Sequence, residues 1–231
     1  MNRMPETFDR SRLPSYIDHT LLKADATPEA IVKLCDEARQ YGFYSVCVNG
    51  GYVPLCSEAL EGSGVRVCAV VGFPLGAGAT RSKAFEAAEA AERGADEIDM
   101  VMAVGKLIAG DEAYVRSDIR AVADAVAGKA IVKVILETGL LNEEQKRTAC
   151  RLAEEAGAHF VKTSTGFGPG GATAEDVRLM RAAVSPNVRV KASGGIRDLT
   201  AALAMIEAGA ARLGTSSGVA IVTGTGGSAA Y

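Results

Sequence analysis

Along the chain, short apolar runs alternate with longer stretches whose apolar residues recur every three or four positions, and glycines or turn formers separate the two. Runs of roughly 4–8 residues between turn signals read as buried strands, and the longer periodic stretches as helices. The first strand is expected over residues 16–20, ending in Asp18-His19-Thr20. Thr27 then caps a helix that has Pro28 at its first position, sets Ile31, Leu34, Cys35 and Ala38 on one face, and stops at Gly42. The same phrase repeats. Further strands are expected over 44–48, 65–71, 96–104, 129–136, 158–163, 188–192 and 211–214. The helices between and after them fall near 53–60, 81–93, 112–127, 142–157, 174–184, 199–208 and 216–222.

Strict alternation predicts a parallel sheet, and eight such units predict an α/β protein of one domain, a closed (β/α)8 or TIM barrel. A doubly wound open sheet is the alternative, but it usually has fewer strands and a nucleotide crevice. The domain is read over 1–231, with a polar, peripheral N-terminal segment (1–14) and a flexible C-terminal tail (223–231).

Within the strands the charged residues keep to one parity. Glu97 and Asp99 share one face of the fourth strand, and Ile98 and Met100 share the other. Lys133 opposes Val132 and Val134, while Arg189 and Lys191 oppose Val188 and Val190. Side chains alternate faces along a strand, so the charged face is expected inside the barrel and the apolar face against the helices. The expected interior holds Glu97, Asp99, Lys133, Lys162, Arg189 and Lys191. For Glu97 and Arg189, nearer the strand starts, the structural reading is a buried ion pair.

Composition narrows the class. The 231 residues are 48% hydrophobic with a formal net charge of −3, which suits a globular protein and gives no nucleic-acid footprint. There is no apolar run long enough for a bilayer and no signal-peptide core, so a cytoplasmic protein without a membrane partner is expected. The cysteines (Cys35, Cys47, Cys56, Cys68, Cys150) are odd in number and lack CxxC spacing, and read as reduced, buried thiols. His19 and His159 sit in no metal motif; neither a metal nor a cofactor is expected.

The candidate chemistry lies at the strand ends. Lysine is among the residues least often buried, yet Lys162 ends the apolar run Phe160-Val161-Lys162, and Lys191 holds the same relative place one strand on. One such lysine reads as an ion pair or a snorkelling side chain. Two of them, with Asp99 at a third strand end, read as a site for carbonyl attack by an amine. On neighbouring strands their ammonium groups would lie about 6 Å apart and repel by about 2.8 kcal/mol at an effective dielectric near 20. That is roughly two pKa units, enough to favour a neutral amine on one of them. Beside them, Ser193-Gly194-Gly195 and Gly214-Thr215-Ser216-Ser217 follow the last two strands, the usual place for a barrel's phosphate site. Gly166, Gly168 and Gly171 fit GxGxxG, but the next strand ends in Lys191 where a dinucleotide fold needs an acidic residue.

The runs YIDHTLLKADAT, SVCVN, GADEIDMV, KVILETGLL, FVKTSTGFGPGGAT, VKASGGIR and GTSSG make the chain resemble the deoxyribose-phosphate aldolase family, from Tyr16 to Val222. The resemblance implies metal-free, reversible cleavage of 2-deoxy-D-ribose 5-phosphate to D-glyceraldehyde 3-phosphate and acetaldehyde. It implies Lys162 as the Schiff-base lysine, with Asp99 and Lys191 as proton-transfer partners. Thr165, Gly166, Gly194, Gly195, Gly214, Ser216 and Ser217 are the expected substrate and phosphate residues, and Asp18, Cys47 and Lys133 accessory ones. The family often has Asn-Pro where this chain has Asn49-Gly50-Gly51, which puts the conformation of that loop in question. The expected partner is a small phosphorylated sugar, and the expected assembly a homo-oligomer, dimer or tetramer. A phospho-sugar-binding barrel without catalysis is the competing class. The Gly/Ser-rich tail reads either as a disordered end with no role or as a tether of about 15 Å that lets Tyr231, at its tip, visit the barrel mouth and relay a proton.

Overall fold

The computed structural model describes residues 8–225. Among them, eight parallel strands close into a barrel in sequence order, with the last strand pairing with the first. They are β1 (Ile17–Leu21), β2 (Ser45–Asn49), β3 (Arg66–Val71), β4 (Glu97–Val101), β5 (Ile131–Ile135), β6 (Phe160–Lys162), β7 (Arg189–Ser193) and β8 (Arg212–Thr215). The α-helices are α1 (Pro28–Tyr41), α2 (Val53–Ala59), α3 (Thr80–Glu92), α4 (Val104–Ile108), α5 (Glu112–Ala125), α6 (Glu143–Glu155), α7 (Ala174–Ala183), α8 (Leu199–Glu207) and α9 (Gly218–Thr223). The fold is the single-domain TIM barrel that the alternation predicts.

Local chemistry sets the boundaries. The Thr27 hydroxyl accepts the Ala30 N–H to start α1, and Gly42, at φ 67°, ends it in the left-handed region glycine favours. Asn142 and Gln145 exchange side-chain and backbone hydrogen bonds in a capping box at the start of α6. Ile98, Met100, Val132, Val134, Val161, Val190 and Leu213 are fully or almost fully buried in the main apolar core, while the other parity of the strands fills the barrel with charge. Among the described residues, no helix is long and apolar enough to cross a membrane.

Three expectations change. The fourth strand stops at Val101, not at 104, and α4 follows. The loop after β3 lies against the end of the strand there: a Cβ on Gly76 would fall 2.0 Å from the Met102 carbonyl oxygen. Within the segment read as peripheral (1–14) a 3₁₀ helix, Arg10–Tyr16, begins; it is capped by Asp9 and buries Leu13. Arg189 does not enter the interior to meet Glu97. It is exposed at the start of β7, its guanidinium 4.3 Å from the centre of the Phe160 ring. Glu97 pairs instead with Arg212, at 3.2 Å, and with Lys133, at 2.6 Å. Loop 49–51, where this chain departs from the usual Asn-Pro, is the residue before and the first two residues of a 3₁₀ turn (Gly50–Tyr52) leading into α2.

Candidate active site

The register of the strands builds the site. Lys162 on β6 is the lateral partner of Lys191 on β7, Lys191 that of Arg212 on β8, and Asp99 on β4 that of Lys133 on β5. All five side chains share the inward parity and converge on the axis of the barrel, where none is more than 3% exposed.

Asp99 is the hub. Its Oδ2 accepts from Lys162 Nζ and from Lys191 Nζ, each at 2.7 Å, and its Oδ1 accepts from Lys133 Nζ, also at 2.7 Å. Lys191 also pairs with Asp18 Oδ2 at 2.5 Å, and Asp18 Oδ1 takes Arg212 at 2.7 Å. Among the described residues the cluster sets three carboxylates (Asp18, Glu97, Asp99) against four cations (Lys133, Lys162, Lys191, Arg212). Burial opposes ionisation of Asp99, but Lys133, Lys162 and Lys191 overcome it and hold its carboxyl well below the usual range. Burial likewise opposes the charge on Lys191, and Asp18 and Asp99 overcome it and raise its pKa. Lys133 is raised in the same way, against burial, chiefly by Asp99. Bare repulsion between two lysines is therefore not what governs Lys191: a shared carboxylate oxygen stands between the amines.

The accessory residues fall around this hub. Asp18 and Lys133 belong to it directly. Cys47 is fully buried, its Sγ 4.0 Å from Asp99 Oδ2. Cys68, its lateral partner on β3, donates to Asp99 Oδ1 at 3.2 Å. Burial, with the neighbouring Cys47 and Asp99, pushes the Cys68 thiol well up. The donor atoms of Cys47, Cys68 and Asp99 lie within 4.8 Å of one another. Three ammonium groups already occupy the aspartate, so this donor set does not suit a metal cation. Leu22, Val70 and Phe73 join the two cysteines in a small apolar cluster of their own. Tyr231 lies outside the described residues.

The loops beyond the lysines enclose a cavity of about 180 Å³, lined in part by Gly166, Gly195, Arg197, Thr215 and Ser216. Gly194 and Gly195 have φ of 89° and 78°, a left-handed pair that a side chain would strain. The Gly194 carbonyl accepts the Ala172 N–H at 2.9 Å and ties the loop after β6 to the loop after β7. Other expected phosphate residues have different surroundings. Thr165 is buried, with its N–H and hydroxyl both donated to Glu137. The Ser217 N–H is donated to the Thr215 hydroxyl. Gly214 makes room for Lys191: a Cβ there would fall 3.0 Å from Lys191 Cε. Arg197, Arg212 and Glu137 went unnoticed in the sequence. The parity of Arg212 was available, but a four-residue strand containing glycine gives a weak periodic signal. A larger hollow of about 610 Å³ opens at the opposite pole, by Arg66, Ile131 and Arg189 at the starts of their strands. Barrel chemistry occurs at the other end, so size does not locate the site.

Known proteins resemble this chain over most of its length. The family model described as DeoC/LacD family aldolase matches residues 13–224. A deoxyribose-phosphate aldolase of Geobacillus sp. (strain WCH70) is 60% identical over 214 residues, which cover 93% of this chain and 96% of that one. One from Brevibacillus brevis is 62% identical over 209 residues, 90% of this chain and 94% of the relative. Among solved structures, the tetrameric deoxyribose phosphate aldolase from Aeropyrum pernix superposes with a TM-score of 0.87 at 35% identity, covering 93% of this chain and 91% of that one.

Proposed function

Because the chain belongs to the DeoC/LacD family of aldolases and is a carbon–carbon lyase, we propose that it cleaves 2-deoxy-D-ribose 5-phosphate reversibly to D-glyceraldehyde 3-phosphate and acetaldehyde, through a Schiff base on Lys162. One observation carries this reading: Lys162, at the C-terminal end of β6, and Lys191, in the middle of β7, share a single buried oxygen of Asp99.

The steps follow from that geometry. The neutral amine of Lys162 attacks C1 of the open-chain sugar and forms a carbinolamine. Lys191, whose carboxylate partners favour its charged form, gives a proton to the carbinolamine hydroxyl, which leaves as water. The amine this leaves on Lys191 takes the proton of the C3 hydroxyl as the C2–C3 bond breaks. The electron pair of that bond passes into the enamine, and D-glyceraldehyde 3-phosphate departs. Lys191 then returns the proton to C2, water hydrolyses the iminium to acetaldehyde and free Lys162, and the proton this releases returns to Lys191, which restores the starting charges. Asp99 keeps both amines in place throughout and balances whichever is charged. Lys133 and Asp18 hold Asp99 and Lys191 from below.

Gly166, Gly195 and Ser216, with Arg197, take the phosphate at the mouth. The assembly we propose is a homo-oligomer, as in the tetrameric relative, working in the cytoplasm, where the buried thiols stay reduced. Borohydride reduction in the presence of deoxyribose 5-phosphate or acetaldehyde tests the reading. A two-carbon mass gain at Lys162 is expected. Binding of the sugar phosphate with no trapped adduct would leave a phospho-sugar-binding barrel instead.

A further inference from the structure

Glu137 stands in an unusual position. It follows β5 at φ 56°, a left-handed conformation found among the described residues at no other residue except glycines. Its side chain is 4% exposed, and no cation lies within 4.0 Å of it among the described residues. Oε1 has no hydrogen-bond partner among the described residues. Oε2 accepts twice from Thr165, from the hydroxyl at 2.5 Å and from the N–H at 3.3 Å. The same hydroxyl accepts the Phe167 N–H at 3.0 Å, so the carboxylate shapes the whole turn from Thr165 to Phe167. A strained backbone, a buried charge and an orphaned oxygen are a heavy cost for an ordinary loop brace.

The turn separates two cavities. Glu137 and Thr165 line one, and Gly166 lines the other, which is the proposed phosphate pocket. Within the turn the Thr165 N–H and the Phe167 N–H are both engaged, whereas the Gly166 N–H has no acceptor among the described residues. The neighbouring loop is built around the carboxylate as well. A Cβ on Gly168 would fall 2.7 Å from Glu137 Cδ and 2.9 Å from its Oε2.

We infer that Glu137 is a positioning residue for the substrate's phosphate: it holds Thr165 from behind and so presents the Gly166 N–H to the pocket in front. The inference rests on the proposed aldolase reaction and on the phosphate end of its substrate. It assigns Thr165 to the support of the pocket and Gly166 to its surface. The negative charge of Glu137 opposes a bound phosphate, so what matters is the acceptor oxygen and not the charge.

Three substitutions and two substrates test this. Glu137→Met keeps the length of the side chain and removes the acceptor; it is expected to raise KM for deoxyribose 5-phosphate about tenfold or more, with kcat within about twofold. Glu137→Gln keeps an acceptor and drops the charge, and is expected to restore KM to within about threefold of the parent. Gly168→Ala, which crowds the carboxylate without removing it, is expected to raise the same KM. Cleavage of unphosphorylated deoxyribose should be unchanged in all three. Equal loss on both substrates, or an unmoved KM in Glu137→Met, overturns the inference. A parent protein that cleaves neither substrate would overturn the aldolase reading itself, which keeps the two failures apart.

Discussion

Among the described residues, lysine is buried against aspartate in two places, and the two differ in kind. Between α3 and α5, outside the barrel, Lys83 meets Asp118 at 2.7 Å, both almost fully buried. Lys83 also donates to the Val101 carbonyl, and the other oxygen of Asp118 takes the Thr80 hydroxyl. Each charge has one counter-charge, and the remaining contacts are neutral. Inside the barrel, Asp99 takes three lysines on two oxygens, and Lys191 divides itself between two carboxylates. A one-to-one pair with satisfied neighbours is a brace. An oversubscribed carboxylate is a centre in which protons and amines can exchange partners, which is what the proposed imine chemistry requires. Burial does not distinguish the two arrangements; the number of partners does.

The largest effect should come from the lysine nearest the mouth. Lys162→Ala is expected to lower turnover by about four orders of magnitude or more and to abolish borohydride trapping, while the circular dichroism spectrum stays that of the parent. Retained trapping in this variant would place the imine elsewhere. Lys191→Leu removes the proposed proton donor but leaves the proposed nucleophile, and a loss of about 100-fold or more is expected, with imine formation slowed and not eliminated. If the variant shows single-turnover rates equal to the parent, Lys191 serves only to hold charge.

The brace should respond in the opposite sense. Lys83→Met strands Asp118 in an apolar setting and is expected to cost about 3–5 kcal/mol of stability in denaturant melts, with activity per folded molecule unchanged. The double change Lys83→Met with Asp118→Leu should recover most of that loss. A pair that proves essential to turnover would end the distinction drawn between the two sites.

How far each site was legible follows from the same contrast. The barrel, Asp99, Lys162 and Lys191 were visible because a charged residue on the inward parity of an apolar strand breaks a short-range pattern. Lys83 sits in a helix rich in charged residues, where one more lysine breaks nothing, so its burial shows only when α5 packs against α3. Arg212 was missed for a similar reason: in a strand of four residues its parity gives only a weak signal, and the charge of Glu97 was matched with Arg189 on the wrong level of the barrel. Glu137 belongs to a motif that was seen, but its function depends on a left-handed backbone and a loop 28 residues away, which no local pattern encodes.

A pH titration sharpens the comparison further. Asp99 is depressed in the folded protein, so its stabilising contribution is full above the unfolded value, about 3.9, and is lost as pH falls toward the folded value. Lys133 is raised, so its contribution is full below about 10.4 and is lost as pH rises through the folded value. Lys133→Met takes one cation from Asp99 and from Glu97. The acid unfolding midpoint should then move to higher pH and the alkaline midpoint to lower pH, narrowing the stable window from both sides. An acid limb identical to that of the parent would show that Lys162 and Lys191 alone hold the carboxylate ionised.

The smallest effect is expected at the mouth, far from both ion clusters. Ser216 lines the cavity with Gly166 and Gly195, while the Ser217 N–H is turned back onto Thr215, so Ser216 is the position at which a charge should be felt. Ser216→Asp would set a carboxylate against the substrate's phosphate. In partly screened solvent the repulsion amounts to about 1–2 kcal/mol, or roughly a tenfold rise in KM for deoxyribose 5-phosphate. Raising the ionic strength should reduce that rise, because exposed charges are screened. Unphosphorylated deoxyribose, which presents no charge there, should be cleaved as by the parent. The lysine cluster is unaltered in this variant, so a fall in kcat on both substrates would mean that the mouth and the buried amines are coupled and that the separation of binding from chemistry along the barrel axis does not hold.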